Sequence, residues 1–266
     1  MAAAHIQTDY DTVGDTEVPG KYIGEAEMET GRELAGQVAL ITGASRGIGL
    51  AIAERLSEMG ARLALCARKG PALESAAAAL RKRGAEVYAH VADVARSADI
   101  TQLVEKTNAA LGPVDILVNN AGLGSFKPFH EFSESEWDSI HNTNLKGVFL
   151  MSRAVAPQMI DRRKGQIINI SSLAGKNTFA GGSVYCASKW GLMGLTACMA
   201  EDLRAYGIRV SAVCPGSVAT DFSPHTGRDT SKLLQPGDVA HAVAGLLTQG
   251  PTSFMSEVLL RPLQKP

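Results

Sequence analysis

Short apolar runs alternate with amphipathic stretches along the chain from Gln37 onward. The apolar runs predict strands near Val38–Ile41, Arg62–Ala67, Ala85–Val91, Ile116–Asn119, Gln166–Ser171, Ile208–Cys214 and Glu257–Leu260. The intervening stretches predict helices near Arg46–Met59, Pro71–Arg83, Ala98–Leu111, Glu134–Arg162, Val184–Tyr206 and Gly237–Leu247. Strands that alternate with helices are typical of βαβ units. The pattern therefore predicts an α/β fold with a parallel sheet, whose ligands bind beyond the carboxyl ends of the strands.

Size and charge exclude several classes of protein. The 266 residues, 45% of them hydrophobic, suffice for a sizeable core in one or two domains. A net charge of −1 argues against a nucleic acid or an anionic membrane as partner. No apolar stretch reaches the ~18 residues of a membrane span. The four cysteines show no CxxC pair and no metal-like spacing, so we expect reduced thiols, no metal site and a cytoplasmic protein.

The first 35 residues differ in character from the rest of the chain. They carry eight acidic side chains against only Lys21 and Arg32. They lack the apolar core of a secretion signal and the basic, acid-poor character of a transit peptide. We therefore expect residues 1–35 to be a flexible acidic N-terminal extension, and residues 36–266 to be the folded domain.

A glycine-rich turn with the pattern GxxxGxG joins the first predicted strand to the first predicted helix. Glycines permit a tight turn, and the free N–H groups at a helix N-terminus favour a phosphate. The turn therefore predicts a dinucleotide site. Its candidate contacts are Gly43, Ser45, Arg46, Gly47, Ile48 and Gly49.

The end of the second strand indicates which dinucleotide binds. Sheets that bind NAD usually place an acidic residue here for the ribose 2′-hydroxyl. This chain has Ala67 in that place, followed by Arg68 and Lys69, and Arg46 can point toward the same region. A 2′-phosphate needs such cations, so we expect NADP(H) in preference to NAD(H). The alternative is that Arg68 and Lys69 are solvated loop charges.

Two further segments follow predicted strands at the same edge of the sheet. Asp93 and Val94 come after the third strand, and the Asp93 carboxylate either accepts a hydrogen bond from an adenine amino group or caps the next helix. The segment Asn119-Asn120-Ala121-Gly122 ends the fourth strand. Its small residues and amides suit close approach of a ribose, stabilisation of the sheet edge, or both.

Tyr185 and Lys189 lie four residues apart, and Ser172 ends an apolar run upstream. Residues at this spacing share one face of a helix. A nearby ammonium lowers the pKa of a phenol, so Tyr185 is expected to act as a general acid or base close to neutral pH. The alternative is an exposed helix that carries an unrelated aromatic residue and lysine.

Seven segments together resemble the short-chain dehydrogenase/reductase family, nearest to its 3-oxoacyl-[acyl-carrier-protein] reductase-like members. They are TGASRGIG (42–49), Asp93, NNAG (119–122), Asn144 in NTNLKG, Ser172 in ISSLAG, YCASK (185–189) and CPGSVAT (214–220). The resemblance covers residues 36–260. It implies a single catalytic domain of Rossmann type with a doubly wound parallel sheet and helices on both faces. It also implies a nicotinamide cofactor, carbonyl/alcohol redox chemistry, and a homodimer or homotetramer formed through helices 134–162 and 184–206.

The resemblance also implies roles for individual residues. Tyr185 is the expected general acid, Lys189 holds the nicotinamide ribose and lowers the Tyr185 pKa, and Ser172 hydrogen-bonds the substrate oxygen. Asn144 is expected to hold a water that relays protons to Lys189; the alternative is that it only caps or kinks its helix. The residues expected to frame the nicotinamide are Pro215, Gly216, Val218 and Thr220. Residues 217–236 then form either a lid or an ordinary surface loop.

Substrate identity is the least constrained property. The pocket expected near Ser172 is mostly apolar, which favours a small-molecule ketone or aldehyde, and Lys176 could still meet a substrate carboxylate. Its expected residues are Leu123, Gly124, Phe126, Ala174, Lys176, Phe179, Ala180 and Phe222. The alternative substrate is a 3-oxoacyl thioester of acyl carrier protein or CoA. Arg162, Arg163 and Lys164 offer part of a carrier-docking patch, but Tyr206 stands where a second base is expected, and the chain end departs from the family's usual Gly-Gly segment. A non-catalytic dinucleotide sensor is disfavoured because the four expected catalytic residues are all present.

Overall fold

Seven strands form one parallel sheet in a computed structural model of the protein, which describes residues 32–222 and 229–264. The strands are β1 (Val38–Thr42), β2 (Arg62–Ala67), β3 (Val87–Val91), β4 (Ile116–Asn119), β5 (Gly165–Ile170), β6 (Ile208–Pro215) and β7 (Glu257–Leu260). Their order across the sheet is β3-β2-β1-β4-β5-β6-β7. The direction of winding reverses between β1 and β4, which is where such sheets bind ligands. The predicted doubly wound Rossmann-type fold is confirmed.

Helices cover both faces of the sheet. They are α1 (Gly47–Glu58), α2 (Gly70–Lys82), α3 (Ser97–Leu111), α4 (Glu134–His141), α5 (Gly147–Arg162), α6 (Ser183–Arg204) and α7 (Pro236–Leu247). Alternate residues of β1 serve the two faces: Ala39 and Ile41 pack with α1, α2 and α7, whereas Val38 and Leu40 pack with α3, α5 and α6. Since both faces are covered, β1 is buried along its whole length and is apolar as far as Ile41.

The single helix predicted over residues 134–162 is interrupted. α4 ends at His141, residues 142–146 form one wider π-helical turn, and α5 begins at Gly147. Buried Asn144 lies in this turn, and its side chain bonds to the backbone of Leu123 and to Ser188. Single π turns within helices are frequent at functional sites. The bounds of the other predicted helices and strands differ from the structure by at most two residues.

The acidic extension predicted for residues 1–35 lies outside the described residues up to Gly31. Of the rest, Leu34 is fully buried against the α1 side of the sheet, and its N–H donates to the Met59 carbonyl at 2.9 Å. The described packing therefore begins before residue 36. Across residues 32–222 and 229–264, no helix is long and apolar enough to cross a membrane, and no acidic, histidine or cysteine cluster suits a metal ion. The four cysteines are free thiols.

An ion pair fastens the amino end of the sheet. Asp115, just before β4, accepts a hydrogen bond from the Val38 N–H at 3.0 Å and from Arg162 Nη1 at 2.6 Å. Arg162 also donates to the Val114 carbonyl. Arg162, considered above for carrier docking, is therefore bound to residues at the amino ends of the strands, opposite the cleft end of the sheet.

Candidate active site

A cleft of about 1350 Å³ opens at the carboxyl ends of the strands. Small-molecule sites usually measure ~300–1000 Å³, so the cleft has room for a dinucleotide and a substrate together. Among the predicted site residues, Gly49 and Asn144 do not line it. Those that do are Gly43, Ser45, Arg46, Gly47, Ile48, Arg68, Lys69, Asp93, Val94, Asn120, Ala121, Gly122, Ser172, Tyr185, Lys189, Pro215, Gly216, Val218 and Thr220.

The glycine-rich turn leaves backbone N–H groups facing the cleft. Gly43 has φ +66°, and a Cβ there would lie 2.9 Å from the Ala121 Cα. Gly47 opens α1 with φ +56°, and no side chain caps that N-terminus. The first N–H groups of α1 therefore remain available to an anion. This cradle fits the diphosphate of a dinucleotide.

Asn120 holds the turn in place. Its Nδ2 donates to the carbonyl oxygens of Thr42 at 2.9 Å and Gly43 at 3.2 Å, while Thr42 Oγ1 accepts from the Asn120 and Ala121 N–H groups at 3.0 Å. A side chain at Gly49 would collide with this amide. Of the two readings of segment 119–122, the Asn120 amide stabilises the sheet edge, and Ala121 and Gly122 supply the bare wall of the cleft.

Three cations lie at the end of the cleft formed by β2 and the glycine-rich turn. Arg68 and Lys69 are exposed, follow β2 directly and line the wall, with Ala67 in the usual acidic place. Arg46 instead pairs with Asp221 at 3.1 Å, and both side chains are largely exposed. No local sequence pattern indicates this contact, because the two partners are 175 residues apart in the chain.

Asp93 lines the cleft without capping α3. Its Oδ1 accepts from the Ala95 N–H at 3.0 Å, and its own N–H donates to Asp99 Oδ2 at 3.0 Å. The residue before α3 is Arg96, which makes no side-chain cap. The helix-cap alternative is therefore wrong: Asp93 closes the turn that precedes the helix.

Tyr185, Ser172 and Lys189 converge at the other end of the cleft. Tyr185 and Lys189 are buried on α6, and the Lys189 ammonium lies 5.8 Å from the centroid of the phenol ring. Lys189 Nζ donates to the Ile170 carbonyl at 2.9 Å. The Ser172 hydroxyl, which follows β5, hydrogen-bonds the phenol and accepts from the Ala174 N–H at 3.1 Å. Tyr185 and Lys189 are thus not a pair on an exposed helix.

The pKa of Tyr185 departs from the prediction. Burial raises the pKa of this phenol to about 12, although the hydrogen bond from Ser172 acts to lower it. Burial also lowers the pKa of Lys189 to about 8. The predicted lowering of the Tyr185 pKa by Lys189 is therefore wrong for the protein alone, because desolvation of the phenol dominates. At neutral pH Tyr185 keeps its proton and Lys189 is charged.

Asn144 positions the turn that carries Tyr185. Its Oδ1 accepts from the Leu123 N–H at 2.7 Å, and its Nδ2 donates to the Leu123 carbonyl at 2.8 Å and to Ser188 Oγ at 3.0 Å. The Ser188 hydroxyl in turn donates to the Tyr185 carbonyl at 2.7 Å. Both N–H bonds of the Asn144 amide are therefore used within the protein. Ser188 was not anticipated, although the sequence Tyr-Cys-Ala-Ser-Lys contains it.

An aromatic wall surrounds Tyr185. The Phe126 ring meets Tyr185 edge-on at 5.5 Å between centroids, Phe222 lies at 5.8 Å, and Phe179 packs against Phe126 at 5.8 Å. These three rings come from loops far apart in the sequence. Lys176, considered above as a partner for a substrate carboxylate, is bound to Glu257 of β7 at 2.7 Å and does not line the cleft.

The segment expected to form a lid is pinned at its base. Val218 and Leu234 form a parallel bridge, and the Ala219 N–H donates to the Leu234 carbonyl at 2.8 Å. Residues 223–228 of the expected lid lie outside the described residues. The sequence analysis did not predict site residues after β7. Arg261, Pro262 and Gln264 nevertheless line the cleft.

Comparisons with known proteins all point to one family. The family model described as short chain dehydrogenase matches residues 37–231. An uncharacterized oxidoreductase of Staphylococcus saprophyticus is 35% identical over 87% of this chain and 99% of its own length. A 3-oxoacyl-[acyl-carrier-protein] reductase of Staphylococcus epidermidis is 39% identical over 70% of this chain and 76% of its own.

A solved structure shows the same architecture with a cofactor. It is a metagenomic short-chain oxidoreductase in complex with NADP, 46% identical to this chain, with a TM-score of 0.78. The match covers 87% of this chain and 99% of the other. The fold, the cleft at the switch point and these matches lead to one conclusion: the chain belongs to the short-chain dehydrogenase/reductase family of oxidoreductases.

Proposed function

We propose that the protein reduces a ketone or aldehyde to an alcohol with NADPH. One observation carries the proposal: a protonated phenol, a hydroxyl and an ammonium converge in a cleft whose opposite end is cationic. The phenol, the hydroxyl and the ammonium belong to Tyr185, Ser172 and Lys189. The cations at the opposite end are Arg68 and Lys69. The arrangement suits a cofactor stretched between the two ends, with the substrate carbonyl beside Tyr185.

The residues around the carbonyl have separate duties. A reduced nicotinamide, held with its ribose against Lys189, would supply the hydride to the carbonyl carbon. Tyr185 donates its proton to the carbonyl oxygen, and the Ser172 hydroxyl stabilises the negative charge that develops there. The Lys189 ammonium stabilises the phenolate left behind and holds the nicotinamide ribose. Asn144 keeps Tyr185 in position; its water relay to Lys189 stays a prediction.

The preference for NADPH rests on charge at the β2 end. A 2′-phosphate placed there would meet Arg68 and Lys69, and no acidic residue follows β2 to receive a free 2′-hydroxyl. Arg46 would join them once it leaves Asp221. The NADP in the similar metagenomic oxidoreductase supports the same assignment.

The second candidate is reduction of a 3-oxoacyl thioester. It is favoured by the 39% identity to the carrier-protein reductase of Staphylococcus epidermidis. Carrier docking through the cluster at residues 162–164 is not supported, because Arg162 is bound to Asp115 and Arg163 donates to the Ala205 carbonyl. We therefore place a thioester second, and within it a CoA or pantetheine thioester ahead of a docked carrier protein.

We also propose a homodimer or homotetramer. α4, α5 and α6 carry the half-exposed rings of Trp137, Phe149 and Trp190. Exposed aromatic side chains on neighbouring helices are typical of protein interfaces. Light scattering of the purified protein tests the assignment, and a monomer at micromolar concentration would contradict it.

The test of the proposed function is the initial rate of NADPH oxidation, with NADH in parallel, against a panel of carbonyl compounds. The panel contains β-ketoesters, diketones, aldehydes and 3-oxoacyl thioesters. We expect turnover of free carbonyls with NADPH. Faster turnover of thioesters, increased by acyl carrier protein, would replace the first candidate with the second. NADPH binding without any reduction would contradict both.

A further inference from the structure

Arg261 follows β7 directly and lines the cleft on a well-anchored backbone. Leu260 pairs with Pro215 of β6, and its carbonyl accepts from the Gly216 N–H at 2.9 Å. Pro262 follows and restricts the backbone further. The Arg261 side chain therefore starts from a fixed point at the carboxyl ends of the strands.

The packing around Gly216 shows which end of the cleft Arg261 serves. A Cβ on Gly216 would lie 3.1 Å from Pro262 Cδ and 3.2 Å from Leu173 Cδ1. Leu173 is the neighbour of Ser172, and the Lys176–Glu257 ion pair ties the same turn to β7. Arg261 therefore lies at the end of the cleft that contains Ser172 and Tyr185. Arg68 and Lys69 lie at the opposite end.

The other cations at this end are committed. Lys176 is bound to Glu257, and buried Lys189 donates to the Ile170 carbonyl. In the described part of the chain, Arg261 forms no ion pair and no side-chain hydrogen bond. Its planar guanidinium carries five N–H donors that match a carboxylate or phosphate. The lining of the cleft also includes the apolar side chains of Leu173, Phe179 and Phe222.

We propose that Arg261 is a specificity-determining residue that binds an anionic group at the end of the substrate remote from the reacting carbonyl. This inference rests on the proposed carbonyl reduction and names its substrate class: a carbonyl compound that carries an anionic group at the end remote from the carbonyl. Two sources share that chemistry, a free oxo acid with its carboxylate and a CoA thioester with its phosphates.

The test compares substrates that differ only in the anion. Oxo acids of increasing chain length are paired with their methyl esters, and a 3-oxoacyl-CoA is paired with its neutral N-acetylcysteamine thioester. We expect Arg261→Ala to lower kcat/KM for the anionic member by roughly tenfold to hundredfold, the usual effect of a lost charged hydrogen bond. The loss should appear in KM with kcat nearly unchanged, and the neutral member should be unaffected. Which pair responds identifies the source of the anion.

Two variants serve as controls. Arg261→Lys should recover part of the loss, since it keeps the charge without the planar fork. Arg204→Ala removes an exposed arginine at the end of α6, outside the cleft, and should change neither member of a pair. Equal losses for charged and neutral substrates in Arg261→Ala would overturn the inference, as would a wild-type protein without preference for the anionic member.

A binding measurement separates this inference from the proposed function. If the protein reduced no carbonyl, the proposed function would fail, and calorimetry with a fatty carboxylate and its methyl ester in the presence of NADPH would decide on Arg261. We expect the carboxylate to bind more tightly to the wild type and to lose that advantage in Arg261→Ala. Equal binding of both ligands to the wild type would overturn the inference.

Discussion

The two ends of the cleft are built in different ways. At the β2 end the wall contains one continuous backbone turn with Gly43 and Gly47, beside the cations Arg68 and Lys69. At the Tyr185 end the wall consists of large side chains from separate loops, among them Phe126, Phe179 and Phe222. A backbone wall suits a cofactor of fixed shape, whereas a side-chain wall allows the substrate to differ between relatives. The β2 end of the cleft can therefore be recognised from one short sequence motif. The shape of the Tyr185 end depends on separate loops that only the fold brings together.

The largest expected effect separates chemistry from cofactor binding at the Tyr185 end. Tyr185→Phe removes the proton donor and keeps the ring that packs against Phe126. We expect the rate of reduction to fall by roughly 10²–10⁴, with the NADPH dissociation constant nearly unchanged. Steady-state rates and a fluorescence titration measure the two quantities. Tyr206→Phe is the matched control, because Tyr206 does not line the cleft; near-normal turnover in Tyr185→Phe would remove this tyrosine from the mechanism.

The next effect belongs to the β2 end. Arg68→Ala should lower kcat/KM for NADPH by roughly tenfold to hundredfold and leave NADH nearly unaffected, because only NADPH carries the 2′-phosphate. The measurement is kcat/KM for each cofactor at a fixed carbonyl concentration. Lys82→Ala, at the exposed end of α2, is a charge-matched control outside the cleft. Equal losses for NADPH and NADH would show that Arg68 does not read the phosphate.

A pH effect should again mark the Tyr185 end. Burial lowers the Lys189 pKa from 10.5 to about 8, so the ammonium is present below this pH and is lost above it. Burial raises the Tyr185 pKa to about 12, so the phenol keeps its proton in the same range. We expect the reduction rate to fall above pH about 8, by up to about tenfold for each further pH unit. A rate that stays flat from pH 7 to pH 10 would contradict the assigned role of Lys189.

The smallest effect concerns the contact that links the glycine-rich turn to the loop after β6. Asp221→Asn removes the exposed partner of Arg46 and frees that guanidinium for a 2′-phosphate. Exposed pairs are weak, so NADPH affinity should rise less than about fivefold, and NADH affinity should not change. Titration of both cofactors checks this. Weaker NADPH binding in Asp221→Asn would mean that the pair supports the bound state.

The sequence predicted those parts of the molecule whose structure depends on residues close together in the chain. Strand periodicity, the glycine-rich turn and the Tyr185–Lys189 spacing are each contained within a few residues, and the fold follows from their succession. The π turn at residues 142–146 was missed because the hydrogen-bond partners of its Asn144, Leu123 and Ser188, lie in distant segments. The commitments of Lys176 to Glu257 and of Arg162 to Asp115 were missed for the same reason.

Burial accounts for the wrong prediction of the Tyr185 pKa. The spacing of Tyr185 and Lys189 identifies the partners, but desolvation depends on everything packed around them, including Phe126 and Phe222. Likewise, the sequence motif predicted a cofactor contact at Asp93 but could not exclude the helix cap, since that cap depends on where α3 begins.

The most direct test of the division between the two ends measures NADPH affinity and the single-turnover rate of hydride transfer in Tyr185→Phe and Arg68→Ala side by side. We predict that Tyr185→Phe lowers the rate and keeps the affinity. We predict that Arg68→Ala weakens the affinity and, at saturating NADPH, keeps the rate. Parallel loss of both quantities in both variants would contradict the account, because the two ends of the cleft would then act as one site.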